Sequence, residues 1–81
     1  MADGKELWAS ADTIAENGQV RSANAMRFYA LSKMLAEAET LMLTGEDTHS
    51  AEQLRELQVH CEKMLTILSP GRKQGPTLVA A

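Results

Sequence analysis

Apolar residues return every three or four positions in three separate runs of this chain, and glycine-containing turns divide the runs. That period marks amphipathic helices. Nothing alternates apolar and polar residues for more than a few positions, so no strand is expected. The first run, "KELWASADTIAEN", predicts a helix over 5–17. At about 100° per residue, Leu7, Trp8, Ala11, Ile14 and Ala15 fall within an arc of about 120°. Asp3 is placed to cap its start, and Asn17-Gly18 to end it, because glycine accepts the left-handed conformation that closes helices. An isolated helix this short is marginal in water, so its stripe must be covered.

The second run predicts the longest helix, over 22–44, after a short connection at 18–21. It is rich in Ala, Leu and Met, all good helix formers. Ala23, Phe28, Ala30, Leu31, Met34, Leu35, Ala38, Leu41 and Met42 share an arc of about 160°, with Ser32, Lys33, Glu37, Glu39 and Thr40 assigned to the other side. One neighbouring helix requires only about 100° of apolar arc. The second helix is therefore expected to touch two neighbours. Met26 lies on the polar side and marks a candidate contact.

A short acidic loop, "GEDTHS", leads to a third helix over 51–68. Ser50-Ala51-Glu52-Gln53 fits a capping box, with the serine accepting from a backbone N–H and the glutamine reaching back. Leu54, Leu57, Cys61, Met64 and Leu68 are spaced 3, 4, 3, 4, the spacing of a packing seam. Ser69-Pro70-Gly71 stops the helix. So short a loop makes the two longer helices antiparallel neighbours. The expected fold class is all-α: a short N-terminal helix and an antiparallel helical hairpin with arms of roughly 35 and 27 Å. Residues 1–4 form a lead, 5–68 one helical domain, and 69–81 a flexible tail.

Size sharpens the picture. The chain has 81 residues and one cysteine, so no disulfide can staple it internally. Domains this small are hard to stabilise alone and draw on disulfides, a metal or another chain. With the broad apolar side of the second helix, this points to a second protein chain, either a copy completing a four-helix arrangement or a different partner. The expected partner-binding residues are Trp8, Arg27, Phe28, Leu31, Leu35, Met42, Leu54, Leu57 and Met64. Trp8 is a candidate anchor, or else the pin that holds the first helix to the hairpin. Arg27 falls inside the apolar arc. Either it snorkels to water or it needs an acid, from Asp12 or Glu16 or across a dimer. Phe28 and Tyr29 with Arg21 make a mixed patch.

Candidate chemistry is sparse. His60 and Cys61 are adjacent, but neighbours on a helix point about 100° apart, so they do not readily share an ion. There is no CxxC or HExxH pair. Cys61 is read as a packed seam residue, with the low reactivity that apolar surroundings impose. No catalytic residue, cofactor or metal is expected, and the protein is read as non-enzymatic. The net charge of −3 gives no general attraction to nucleic acid or anionic membrane. A helix-turn-helix reading as a DNA-binding regulator meets Glu46 and Asp47 in the turn and Glu52, Glu56 and Glu62 on the third helix, which repel phosphate. No apolar run is long enough to span a membrane, and "MADGKELWAS" lacks the basic start and apolar core of a signal peptide. A cytoplasmic location with a reduced thiol is expected.

The segment "LAEAETLMLTGEDTHSAEQLRELQVHCEKMLTILS", Leu35 to Ser69, resembles the helical hairpin of the small co-chaperones for type III secretion needle subunits. The resemblance covers under half of the chain and rests on helix lengths, a short glycine-containing turn and leucine spacing. It implies a hairpin that pairs with a helical-repeat chaperone and keeps an aggregation-prone helix soluble. Small phage- or plasmid-encoded proteins that block a host regulator have a similar build. The function expected from the residues themselves is an adaptor, inhibitor or regulator that acts by covering a partner's surface with apolar helix faces.

Overall fold

A computed structural model describes residues 2–70. Three helices follow one another: α1 (Gly4–Glu16), α2 (Val20–Leu43) and α3 (Asp47–Leu68), with no strand among the described residues. Of the tail expected over 69–81, residues 71–81 lie outside the described part.

The helix ends follow local chemistry. Asp3 Oδ1 accepts from the Glu6 N–H at 2.9 Å while Glu6 Oε1 accepts from the Asp3 N–H at 2.9 Å. This reciprocal pair satisfies two donors that an unfinished helix end leaves open. Gly18 and Gly45 take positive φ, +87° and +84°, in the two turns. Only glycine enters that region without steric cost.

The start of α3 departs from the sequence expectation. The helix begins at Asp47, with Glu46 as its N-cap, and the Ser50–Gln53 capping box does not form. The reason is packing. Ser50 is already in the first turn, and its hydroxyl donates to the Ala38 carbonyl of α2 at 2.7 Å. Gln53 Nε2 donates across to Glu37 Oε1 at 3.0 Å. Both side chains therefore tie the hairpin together near its turn. Starting at Asp47 also places that carboxylate against the positive end of the helix dipole.

Both α1 and α3 pack on α2, while their backbones do not approach each other closely. The broad apolar arc of α2 thus meets two neighbours, as its width requires. The three helices form a flat layer, 41 × 37 × 12 Å along its principal axes. The last figure is about one helix diameter. Ala23, Ala30 and Ala38 on α2 are buried and, with no side chain beyond Cβ, let the neighbouring helices come near.

The core is small. Among the described residues the buried apolar side chains are Trp8, Ala11, Ala23, Ala30, Met34, Ala38 and Met64, and Met34 is the one large side chain closed off completely. Leu7, Leu31, Leu57 and Ile67 pack partly buried around Trp8, Ala30, Met34 and Met64. A layer of three helices has two broad faces, and this core does not fill both.

Candidate interaction surface

The buried line of α3 is Ser50, His60 and Met64, with Gln53, Leu57 and Ile67 half-buried between them. These residues are spaced 3, 4, 3, 4, 3, a regular seam. It lies about one position from the seam read in the sequence. Only Leu57 and Met64 belong to both. Cys61 is exposed, which corrects the expectation of a packed cysteine. The physical reason is a choice between two adjacent apolar lines on one helix. The seam containing His60 wins because its histidine is satisfied in place. His60 Nδ1 donates to the Glu56 carbonyl at 2.8 Å, and the Trp8 ring meets the imidazole edge-on at 4.9 Å and 75°. Because a carbonyl only accepts, this contact places a proton on Nδ1.

The second line on α3 is left uncovered. Leu54, Cys61, Leu65 and Leu68 are all exposed. On α2 the matching line is Phe28, Leu35 and Met42, about half exposed, with Leu31 half-buried beside them. The two lines meet in a pair of apolar grooves. Phe28 and Leu31 face Cys61, Met64, Leu65 and Leu68 at the open end of the hairpin. Leu35, Ala38 and Met42, with Glu39, face Ser50 and Leu54 near the turn. Trp8 of α1 packs instead on the His60 side, so the apolar lines occupy a face that α1 does not cover.

The expected partner-binding residues divide accordingly. Phe28, Leu35, Met42 and Leu54 lie exposed on this face, with Leu31 half-buried at its base, while Leu57 is half-buried against the Trp8 and Met34 core. Trp8, Arg27 and Met64 are buried within the chain. Trp8 is the pin that joins α1 to the hairpin. Arg27 finds its acid in the same chain: Nη2 donates to Asp12 Oδ1 at 2.8 Å and Nη1 to Asn24 Oδ1 at 2.8 Å, and the guanidinium lies 5.6 Å from the centre of the Trp8 ring. Tyr29 and Arg21 are exposed, and Met26 is half-buried.

Cys61, Leu65 and Leu68 belong to the exposed face in addition. The sequence pattern places Cys61 and Leu68 in the interior seam, and Leu65 on neither surface. The signal that finds them is a second apolar line, Leu54, Cys61, Leu65 and Leu68, spaced 7, 4, 3 and running one position beside the first. Other exposed apolar side chains, Val20, Leu43 and Val59, line neither groove. A shallow open depression between α1, α2 and α3 holds Lys5, Lys33 and Glu37, whose carboxylate is engaged by both flanking helices. Among the described residues no three His, Cys, Asp or Glu side chains gather as a metal site would require, and no helix is long and apolar enough to cross a membrane. No family model, curated protein or solved structure matches this chain.

Proposed function

We propose that this protein is a non-catalytic interaction module, an adaptor, inhibitor or regulator, that acts by laying the apolar face of its α2–α3 hairpin on another protein chain. The observation that carries the reading is the continuous exposed line of Phe28, Leu35, Met42, Leu54, Leu65 and Leu68 on one face of a chain with a very small core. Scattered exposed leucines are ordinary, whereas a contiguous apolar patch on one face marks a contact surface. Exposed Glu39, Glu46 and Asp47 at the turn end of the hairpin disfavour a phosphate backbone as the occupant. Shielding an aggregation-prone helix, as the co-chaperone resemblance implies, would use the same face.

The test is a paired capture from native lysate with tagged wild-type chain and a Leu35→Asp/Leu65→Asp variant. Both positions are exposed, so the variant keeps its fold, which circular dichroism checks. A protein held by the wild type and released by the variant is the expected result. Identical retention by both overturns the reading.

A further inference from the structure

Along α2 runs one line of exposed residues spaced 4, 3, 4, 3, 4, Arg21, Ala25, Phe28, Ser32, Leu35 and Glu39, which borders the grooves through Phe28, Leu35 and Glu39. The spacing reads the same in either direction. The chemistry does not repeat on reversal; it complements. Folding the line about its midpoint, at the level of Ala30, sets Arg21 against Glu39, Ala25 against Leu35 and Phe28 against Ser32. A cation meets an anion, and each large side chain meets a small one. These are the only charges on the line, one at each end.

We propose that the occupant of this face is a second copy of the same chain, its α2 running antiparallel across the first, with Arg21 of each copy beside Glu39 of the other. This rests on the reading of the hairpin face as an interaction surface and names its partner. An antiparallel pair is an isologous, two-fold interface, so every contact occurs twice. A parallel copy places arginine near arginine and glutamate near glutamate, and the end charges oppose it. Size agrees with the assignment. From Arg21 to Met42 the face is about 32 Å long, and two helices side by side are about 20 Å wide, a footprint of roughly 640 Å². A standard stable interface covers roughly 800 Å² per partner. The copy also covers the groove formed by Phe28, Cys61, Leu65 and Leu68, which brings Cys61 under the interface.

The experiment is sedimentation equilibrium of the purified chain with Arg21→Glu and Glu39→Arg variants, alone and mixed. Both residues are exposed, so each variant retains the monomer fold, monitored by circular dichroism. The wild type is expected at twice its 8.8 kDa chain mass. Each single variant, which now faces like charge with like charge at both ends, dimerises about tenfold more weakly or worse. An equimolar mixture of the two variants recovers wild-type affinity as a heterodimer, because both ends of the helix pair then set an acid against a base again. Labelling of Cys61 by a thiol reagent slows as wild-type concentration rises. A wild type that stays monomeric up to about 1 mM, the range where only negligible affinity remains, overturns self-pairing. It leaves the face open to a different protein, which the paired capture reports separately. A dimer indifferent to both charge reversals and to their mixing overturns the antiparallel register.

Discussion

Arg27 on α2 donates from Nη2 to Asp12 Oδ1 on α1 across 2.8 Å, joining an arginine side chain that is 8% exposed to an aspartate side chain that is 52% exposed. The asymmetry determines what the pair is for. The arginine has given up water and depends on its partners, while the aspartate has not. Asn24 accepts at Nη1, the Trp8 ring lies nearby, and Nε has no partner among the described residues. Asp12→Ala therefore leaves a buried cation short of its anion. Severing a fully buried pair costs about 3–5 kcal/mol, and the open side of Asp12 reduces this to about 1–3 kcal/mol. Adding Arg27→Met removes the stranded charge and is expected to recover most of the loss. Urea unfolding followed by Trp8 fluorescence measures both variants. No recovery in the double variant would show that the arginine acts chiefly through its packed stem.

Gly4 starts α1 and lies directly against α2. A Cβ there would collide with Met34 Cγ and lie 3.0 Å from the Ala30 carbonyl oxygen and 3.1 Å from the Met34 amide nitrogen. Alanine favours a helix over glycine by about 1 kcal/mol. The methionine side chain can yield, but the two backbone atoms belong to a helix and yield only if α1 moves. Overpacking of this kind costs about 1–3 kcal/mol. Gly4→Ala is thus expected to be net destabilising by about 1 kcal/mol, with the loss of α1 docking seen in Trp8 emission. A stabilised Gly4→Ala variant would mean that α1 is free to shift.

The helices themselves were legible in the sequence, because the period of apolar residues and the glycines at 18 and 45 both carry direct physical meaning. The rotation of α3 was not. Leu57, Met64 and Ile67 on one line and Leu54, Cys61, Leu65 and Leu68 on the next run side by side on that helix, and periodicity alone does not choose between them. What separates them is long-range: Trp8 arrives from α1 and packs on His60. Likewise the Ser50–Gln53 pattern satisfies the rule for a helix start, yet both side chains are committed to α2. The apolar excess on α2 was visible as an arc too wide for one neighbour. That part of it remains exposed after α1 and α3 have both packed is a fact of geometry.

The rotation of α3 gives sharply different outcomes for adjacent positions. Cys61→Ser, at an exposed site, is expected to change stability by no more than about 0.5 kcal/mol. Met64→Ala, at a side chain 3% exposed, is expected to cost about 2–5 kcal/mol through lost burial and a cavity. Leu57→Asp should unfold the chain, because it puts a charge among the residues around Trp8 and Met34. Val59→Asp, on the solvent side and 47% exposed, should be tolerated. Thermal melts of the four variants read the facing of the helix. A Cys61→Ser variant as damaged as Met64→Ala would return the cysteine to the interior.

Glu37 supports the last prediction, because one carboxylate serves all three helices. Its Oε2 accepts from the Gly4 N–H of α1 at 3.2 Å and its Oε1 accepts from Gln53 Nε2 of α3 at 3.0 Å. The first bond also sets a negative charge at the start of α1, where the helix dipole favours it by about 0.3–1 kcal/mol. Glu37→Gln separates charge from connectivity. Its amide oxygen can still accept from Gly4, and its amino group can donate to Gln53 once that side chain flips. The expected loss is no more than about 1 kcal/mol and shrinks in high salt, since only the dipole term is screened. Glu37→Ala removes both bonds as well as the charge and is expected to cost about 1–3 kcal/mol, of which only the dipole part shrinks in high salt. Denaturant titrations of both variants at low and high ionic strength make the comparison. Equal losses in Gln and Ala would assign the effect to charge alone and exclude the three-helix bridge.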